Sequence, residues 1–200
     1  MKLKALSMFD CEQVRQWRNL QLEILRTPLP LTMEQQSDFY KNVVCDRKSN
    51  AKYWGIWFVG KQYKAVDMGH CIMQKDCIGL NLIGMCGLEN ISLENRNAEI
   101  SLIFNPEYPM GEYGEEALKL LLHEGFMSMN LENIYTEVYA YNSNMPFWTD
   151  VVIKYNCITA FLPDRKYYNG LYYTSTYINI NKGAYTKNEN TFIKSTCSSD

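Results

Sequence analysis

Residues Ala98–Leu122 read AEISLIFNPEYPMGEYGEEALKLLL, and this stretch decides the fold. Ala98 to Phe104 is apolar enough for a buried strand, broken only by Glu99 and Ser101. Asn105-Pro106-Glu107-Tyr108-Pro109 then imposes a turn, because proline fixes φ and cannot donate to a ladder. The turn ends at Gly114. Beyond it, Leu118, Leu121, Leu122, Phe126 and Met129 fall on one face of a helix. This order of strand, turn and helix places unpaired N–H groups at a helix N-terminus just past a strand end. Free donors and the positive end of the helix dipole converge there, so the spot suits a phosphate or pyrophosphate.

Working toward the C-terminus, Asn133–Tyr141 is the next strand, with alternation at Ile134, Thr136 and Val138. A strand–helix–strand unit of this length predicts parallel strands and a right-handed crossover. Residues 145–155 (MPFWTDVVIKY) predict a short helix. Ile158–Leu162 and Leu171–Ile180 are two further strands, and Tyr168-Asn169-Gly170 between them is a hairpin signal. From Asn181 the chain is rich in Asn, Lys, Thr and Ser and predicts a loose tail. Toward the N-terminus, Leu82–Leu88 and Ala98–Phe104 form an antiparallel pair through the polar turn Ser92–Asn97. Tyr53–Val59 is a strand. Gly60–Leu80 reads as a long hairpin excursion or a mobile loop. Thr32 starts a second helix, with Phe39, Val43 and Val44 at helical spacing. Thr27-Pro28-Leu29-Pro30 breaks it from a first helix, which Asp10 caps with Gln13 in the capping-box place. Residues 2–8 are the first strand. The order is β-α-α-β-β-β-α-β-α-β-β: an α/β chain (an α+β mixed sheet) of about seven strands. One domain spans 1–180, followed by a polar tail over 181–200.

Composition narrows the classes. The chain has 200 residues, 46% hydrophobic and 21% charged, as expected of one core-forming domain. A net charge of −2 lacks the basic footprint of a nucleic-acid binder. No apolar run approaches the roughly 20 residues that span a bilayer. Seven cysteines, an odd number without a C-x-x-C pair, predict reduced thiols, no metal and a cytoplasmic protein. His70 beside Cys71, with Cys77 beyond, is an exposed loop or else a metal fragment. The 15 tyrosines predict a ring-lined cleft or a Tyr-rich sheet surface.

Four places in this order resemble the GNAT superfamily of acetyl-CoA-dependent N-acetyltransferases. The branch they resemble holds ribosomal-protein N-terminal and amino-sugar acetyltransferases. They are Trp17-Arg18-Asn19 in the first helix; Ala98-Glu99-Ile100-Ser101 in the central strand; Asn105-Pro106-Glu107-Tyr108 with Tyr113-Gly114-Glu115-Glu116-Ala117 at the strand-to-helix turn; and RKYYNGLYYTSTYINI at the closing hairpin. The resemblance covers residues 3–180 and speaks to fold and cofactor, not to acceptor. It implies a splayed central parallel pair and transfer of an acetyl group from acetyl-CoA, as co-substrate, to a primary amine. That amine is a small molecule, an amino sugar or a protein N-terminus. Cysteine spacing, net charge and hydropathy add the expectations of no metal and no nucleic acid or membrane partner, and an exposed aromatic edge leaves a monomer or homodimer.

Carried over residue by residue, the backbone of Leu102, Ile103 and Phe104 holds the pantetheine. Gly111, Glu112, Tyr113, Gly114 and Glu115 hold the pyrophosphate, and Asn142 reaches the cofactor. Glu99 is the candidate general base and Glu137 the second candidate. Alternatively, Glu99 faces solvent or pairs with Arg96. Trp17, Arg18 and Tyr139 shape the acceptor side, with helix core and sheet packing as the other readings. His123 is an exposed helix residue.

The phosphate turn departs from the family form Q/R-x-x-G-x-G/A. Registered on Gly114, its first place is Pro109 and its middle glycine is Glu112, a negative charge beside a pyrophosphate. Where many relatives carry a tyrosine acid, this chain has Phe147-Trp148, and tryptophan supplies no titratable proton. These departures leave open a non-catalytic binding or regulatory protein on the same scaffold. A doubly wound nucleotide-binding domain fits less well, since no G-x-G-x-x-G follows the first strand.

Overall fold

A computed structural model describes the backbone of residues 1–67 and 72–197 and the side chains of 1–60 and 79–189. In chain order its elements are β1 (Lys2–Lys4), α1 (Met8–Asn19), a short turn of helix (Leu22–Ile24), and α2 (Met33–Phe39), which runs on through Tyr40–Val44. Next come β2 (Lys52–Asp67), β3 (Ile72–Ser92), β4 (Asn97–Phe104) and α3 (Met110–His123), which runs on through Glu124–Ser128. Then follow β5 (Asn133–Tyr139), α4 (Met145–Tyr155), β6 (Ile158–Tyr168), β7 (Leu171–Asn181) and α5 (Lys182–Cys197). The strands form one seven-stranded sheet in the order β1-β2-β3-β4-β5-β7-β6. Every neighbouring pair is antiparallel except β4 and β5.

Helices cover both faces of the central strand, and this explains its nearly unbroken apolar run. On one face α3 lays down Met110, Gly114, Ala117, Leu118, Leu121 and Leu122, all buried, at spacings of three and four. They pack with Ile100 and Phe104 of β4 and Ile134 and Val138 of β5. On the other face Cys11 and Val14 of α1 pack with Met85 and Ile103. Each fully buried leucine of α3 contributes about 1.5–3 kcal/mol over leaving it in water.

Local signals fix several boundaries. Ser7, not Asp10, caps α1: the Asp10 N–H donates to Ser7 Oγ at 3.2 Å, and the Asp10 carboxylate accepts the Ser7 N–H at 2.7 Å. Both residues are good caps, and the reciprocal pair decides for the earlier one. Thr32 and Gln35 form the same box on α2, where the sequence places it. Asn169 and Gly170 both have positive φ, 47° and 81°, as the tight β6–β7 turn requires.

Three expectations are corrected. The first strand is only Lys2–Lys4. The helix read as starting after Gly114 starts at Met110, because Pro109 serves as its N-cap residue with extended backbone. The polar stretch read as a loose tail forms α5, held by Tyr185, which is buried against Phe126 and Tyr155. Of the segment 60–80, residues 60–67 and 72–80 pair as the outer part of the β2–β3 hairpin. His70, Cys71 and the side chain of Cys77 lie outside the described residues.

Candidate active site

β4 and β5 are paired at only three positions, Asn97–Glu99 against Asn133–Tyr135. Both strands continue, to Phe104 and Tyr139, but each stays with its antiparallel partner. Asn105 N–H bonds the Ile83 carbonyl at 2.8 Å beyond β4, and Ala140 N–H bonds Thr174 at 3.0 Å beyond β5. Sheet twist then carries the two strands apart. Between them lies a cavity of about 320 Å³, walled by Ser101, Leu102, Met110, Tyr139, Asn142 and Trp148 among others. Asn105 N–H points to β3, so strand alternation turns the peptide groups of Ile103 to β3 as well. Those of Leu102 and Phe104 face the gap. The Phe104 carbonyl accepts from Gln21 Nε2 at 2.8 Å.

The gap opens onto the start of α3. The N–H groups of Glu112 and Tyr113 are used internally, both bonding the Pro109 carbonyl. Those of Met110 and Gly111 precede the first helical bond, and no partner among the described residues takes them. A Cβ built on Gly111 would meet nothing within 4 Å, and Met110 and Gly111 line a cavity at this end of the gap. Gly114 differs: a Cβ there would come within 2.8 Å of Met110 and 2.9 Å of Phe147, so it sets the contact of α3 with α4. The cavity at the α3 end, about 400 Å³, is lined by Met110, Gly111, Asn105 and Gln21, with no lysine or arginine. An extended thioester carrier with a pyrophosphate, as in acetyl-CoA, fits this arrangement: an unpaired strand edge, then outward amides with room above them.

On the α1 side, side chains from β4, β5 and the β6–β7 hairpin enclose a chamber of about 430 Å³. Arg26, from the connector between α1 and α2, ion-pairs with Glu99. Asn90 Nδ2 donates to Glu99 Oε2 at 3.0 Å, so both carboxylate oxygens are engaged. The bond to Glu99 raises the Arg26 pKa above its ordinary value, against the opposing effect of burial. Glu137 Oε1 accepts from Ser175 Oγ at 2.6 Å and from Arg165 Nε at 3.1 Å, and its Oε2 has no partner among the described residues. Lys166 Nζ donates to the Arg26 carbonyl and lies 5.2 Å from the Tyr139 ring centre. Burial, then the charge of Arg26, lowers the Lys166 pKa. Glu99, Glu137, Arg26 and Tyr139 border both the chamber and the inter-strand cleft.

The structure brings Glu99, Glu137, Leu102, Tyr139, Arg18 and Asn142 to the cleft wall, and Ile103, Phe104 and Gly111 to its α3 end. Asn142 Nδ2 reaches the Ile24 carbonyl at 3.4 Å. Trp17 packs into the cluster around Cys11 and Val14, away from the cavities. Arg18 donates to the carbonyls of Leu29 and Thr27, and Asn19 makes two 2.9 Å bonds to the Leu31 backbone. Arg18 and Asn19 thus fasten the connector that carries Arg26. Glu112, Tyr113 and Glu115 stand outside the cavities; Tyr113 packs on Phe58 and Tyr108, and Glu115 pairs with Lys154 at 2.5 Å. His123 is exposed. Sequence reading missed Arg26, Arg165, Lys166 and Ser175. The adjacent Arg165-Lys166 pair on a tyrosine-rich strand was the one visible signal.

A splayed parallel pair beside a helix N-terminus defines an acyltransferase architecture. The family model described as the acetyltransferase (GNAT) domain matches residues 2–145, and the chain belongs to that family. No curated protein sequence matches it significantly. Spermidine N-acetyltransferase from Vibrio cholerae, solved in complex with CoA and spermine, is similar in fold at 19% identity and a TM-score of 0.71. That match covers 92% of this chain and 97% of the other. A chimera of the Vibrio cholerae enzyme and hSSAT is similar at 20% identity and a TM-score of 0.70, covering 94% and 99% of the two chains. Among the described residues, no helix is long and apolar enough to cross a membrane.

Proposed function

We propose that the protein transfers the acetyl group of acetyl-CoA to a primary amine held in the chamber beside Glu137. The observation that carries this reading is the gap between β4 and β5, open from Ser101 to Phe104 and continuous with the free amides of Met110 and Gly111. Bound acetyl-CoA supplies an activated thioester carbonyl. The chain supplies position: the peptide groups of Leu102 and the Phe104 N–H offer a strand edge, and the α3 N-terminus offers donors for anionic oxygens.

An amine must lose a proton before or during attack. Glu99 holds Arg26 and Asn90 with both oxygens, so it positions these groups. Glu137 presents a free oxygen at the border of chamber and cleft and is the better-placed base. Tyr139 is the one phenol on the described cleft wall and the chain's own proton donor there, in place of a tyrosine at Trp148. The acceptor class spans small molecules, amino sugars and protein N-termini. The free thiols of Cys11, Cys45, Cys86 and Cys157 support a reducing, cytoplasmic setting.

Thiol release from acetyl-CoA across a panel of amines tests the reading, alongside thermal unfolding with and without acetyl-CoA. The expected result is a higher Tm with acetyl-CoA and amine-dependent CoA release. Absence of any Tm shift at saturating acetyl-CoA would overturn it.

A further inference from the structure

The chamber's cations and carboxylates are not matched. Arg26, Arg165 and Lys166 face Glu99 and Glu137, three cations against two carboxylates. Each carboxylate is already held by an arginine, Glu99 by Arg26 and Glu137 by Arg165. Lys166 has no carboxylate within ion-pair distance among the described residues. Of its three ammonium protons, one goes to the Arg26 carbonyl. Arg165 spends only Nε on Glu137, and its two terminal nitrogens have no described partner. The wall therefore has donors in excess, and the one spare carboxylate oxygen is Glu137 Oε2.

A polyamine would bring two or more positive charges into this wall, where the acids are already neutralised and a half-buried lysine repels it. An amine that also carries a carboxylate complements it instead: the ammonium meets Glu137 Oε2 at the cleft border, and the carboxylate meets Lys166 and the free end of Arg165. We propose that the acceptor is a small amino acid-type amine, bound through its carboxylate by Lys166 with Arg165, and not a polyamine. This rests on the amine-acetylating reading above and narrows its substrate class.

Calorimetric titration of the CoA-loaded protein tests it, using the common amino acids, their carboxamides, and spermidine. The expected result is that a carboxylate-bearing amine binds about tenfold more tightly than its carboxamide, the effect of one charge-assisted hydrogen bond. Lys166→Gln removes that preference, Lys166→Arg restores it, and acetyl-CoA affinity stays the same in all three proteins. Equal or tighter binding of carboxamides or spermidine overturns the inference. So does a Lys166→Gln variant that weakens acid and carboxamide alike. If acetyl-CoA fails to raise the Tm, the acetylation reading falls and takes this inference with it. If the Tm rises and the carboxamides bind better, only the substrate class is wrong.

Discussion

Arg26 ion-pairs with Glu99 at the last position where β4 and β5 are still joined, across 73 residues of sequence. The partners are unequal: the Glu99 side chain is 8% exposed and that of Arg26 is 53% exposed. Removing the arginine strands a buried carboxylate with Asn90 alone, whereas removing the carboxylate leaves a cation that can turn to water. Arg26→Ala is expected to cost about 2 kcal/mol, below the full cost of breaking a buried pair because water screens one partner. Glu99→Gln is expected to cost less, and the double variant to recover part of the Arg26→Ala loss. Urea midpoints at constant slope check this. Equal losses in both single variants would show that the pair is not the asymmetric clamp described.

Glu137 and Glu99 differ in free oxygens, and this separates their kinetic effects. Glu137→Gln keeps a hydrogen-bond acceptor for Ser175 but removes the proton acceptor. A fall in kcat of about a hundredfold is expected, with little change in KM. Glu99→Gln is expected to raise KM more than it lowers kcat, since its oxygens hold Arg26 and Asn90. Initial rates that give kcat and KM separately for the two variants distinguish them. A kcat left near that of the unsubstituted protein in Glu137→Gln sinks its assignment as the base.

Tyr139 and Tyr141 stack at 6.0 Å between ring centres, yet their hydroxyls have different surroundings. Tyr139 borders the cleft. The Tyr141 hydroxyl is buried without a hydrogen-bond partner among the described residues, and burial raises its pKa. Tyr139→Phe is expected to lower kcat about tenfold or more with little change in stability. Tyr141→Phe is expected to leave kcat unchanged and to stabilise the fold by about 1 kcal/mol, because an unpaired buried hydroxyl is removed. Parallel melting and initial-rate measurements check both halves.

Buried thiols give the fold an alkaline weakness. Burial raises the Cys157 pKa from 9.0 to about 11. Burial, with Asp10 nearby, raises that of Cys11 from 9.0 to about 12. A raised folded-state pKa gives stability that is complete below the unfolded value and is lost as pH climbs toward the folded one. The urea midpoint is therefore expected to fall between about pH 9 and pH 12, and less so in Cys157→Ala. Peptide mapping after alkylation near neutral pH should label the exposed Cys45 before Cys11 or Cys86. Early labelling of Cys11 would contradict its burial.

Sequence made the scaffold readable where one local rule acted alone. Thr32 with Gln35, the Asn169-Gly170 turn and the α3 periodicity each specify their element without help from distant residues. The errors fall where two local rules compete or where tertiary contact decides. Ser7 and Asp10 both satisfy a cap, and only their mutual bonds choose. Sequence alone ends β6 at Leu162, before Pro163 and Asp164. The strand passes them by a register shift, with Asp164 at positive φ. α5 is too polar to announce itself, and Tyr185 secures it by packing on helices far upstream in sequence. The same holds for the site. Glu99, Glu137 and Tyr139 stand on a strand pair whose pattern is visible. Arg26 sits in a proline-rich connector with no motif, and its role exists only once Arg18 and Asn19 have fastened that connector.

The start of α3 offers the sharpest test of the cleft. Gly111 lies in a helix with nothing of the protein within 4 Å of a built Cβ. Gly111→Ala therefore has no steric penalty in the folded chain, and the gain in helix propensity is expected to stabilise it by about 0.5–1 kcal/mol. The added methyl also enters the cavity that Met110 and Gly111 line, so CoA affinity is expected to fall about tenfold or more. Glu112, exposed on the same first turn, acts in the opposite direction. Glu112→Gln removes a like charge beside the anion site, and CoA is expected to bind about two- to fivefold more tightly at low salt, with the gain fading at high salt. Gly114→Ala is the contrast, since its methyl would collide with Met110 and Phe147 and lower the Tm. Calorimetric CoA titrations and melts of the three variants decide the matter. A Gly111→Ala protein that melts higher and binds CoA unchanged would place the pyrophosphate elsewhere.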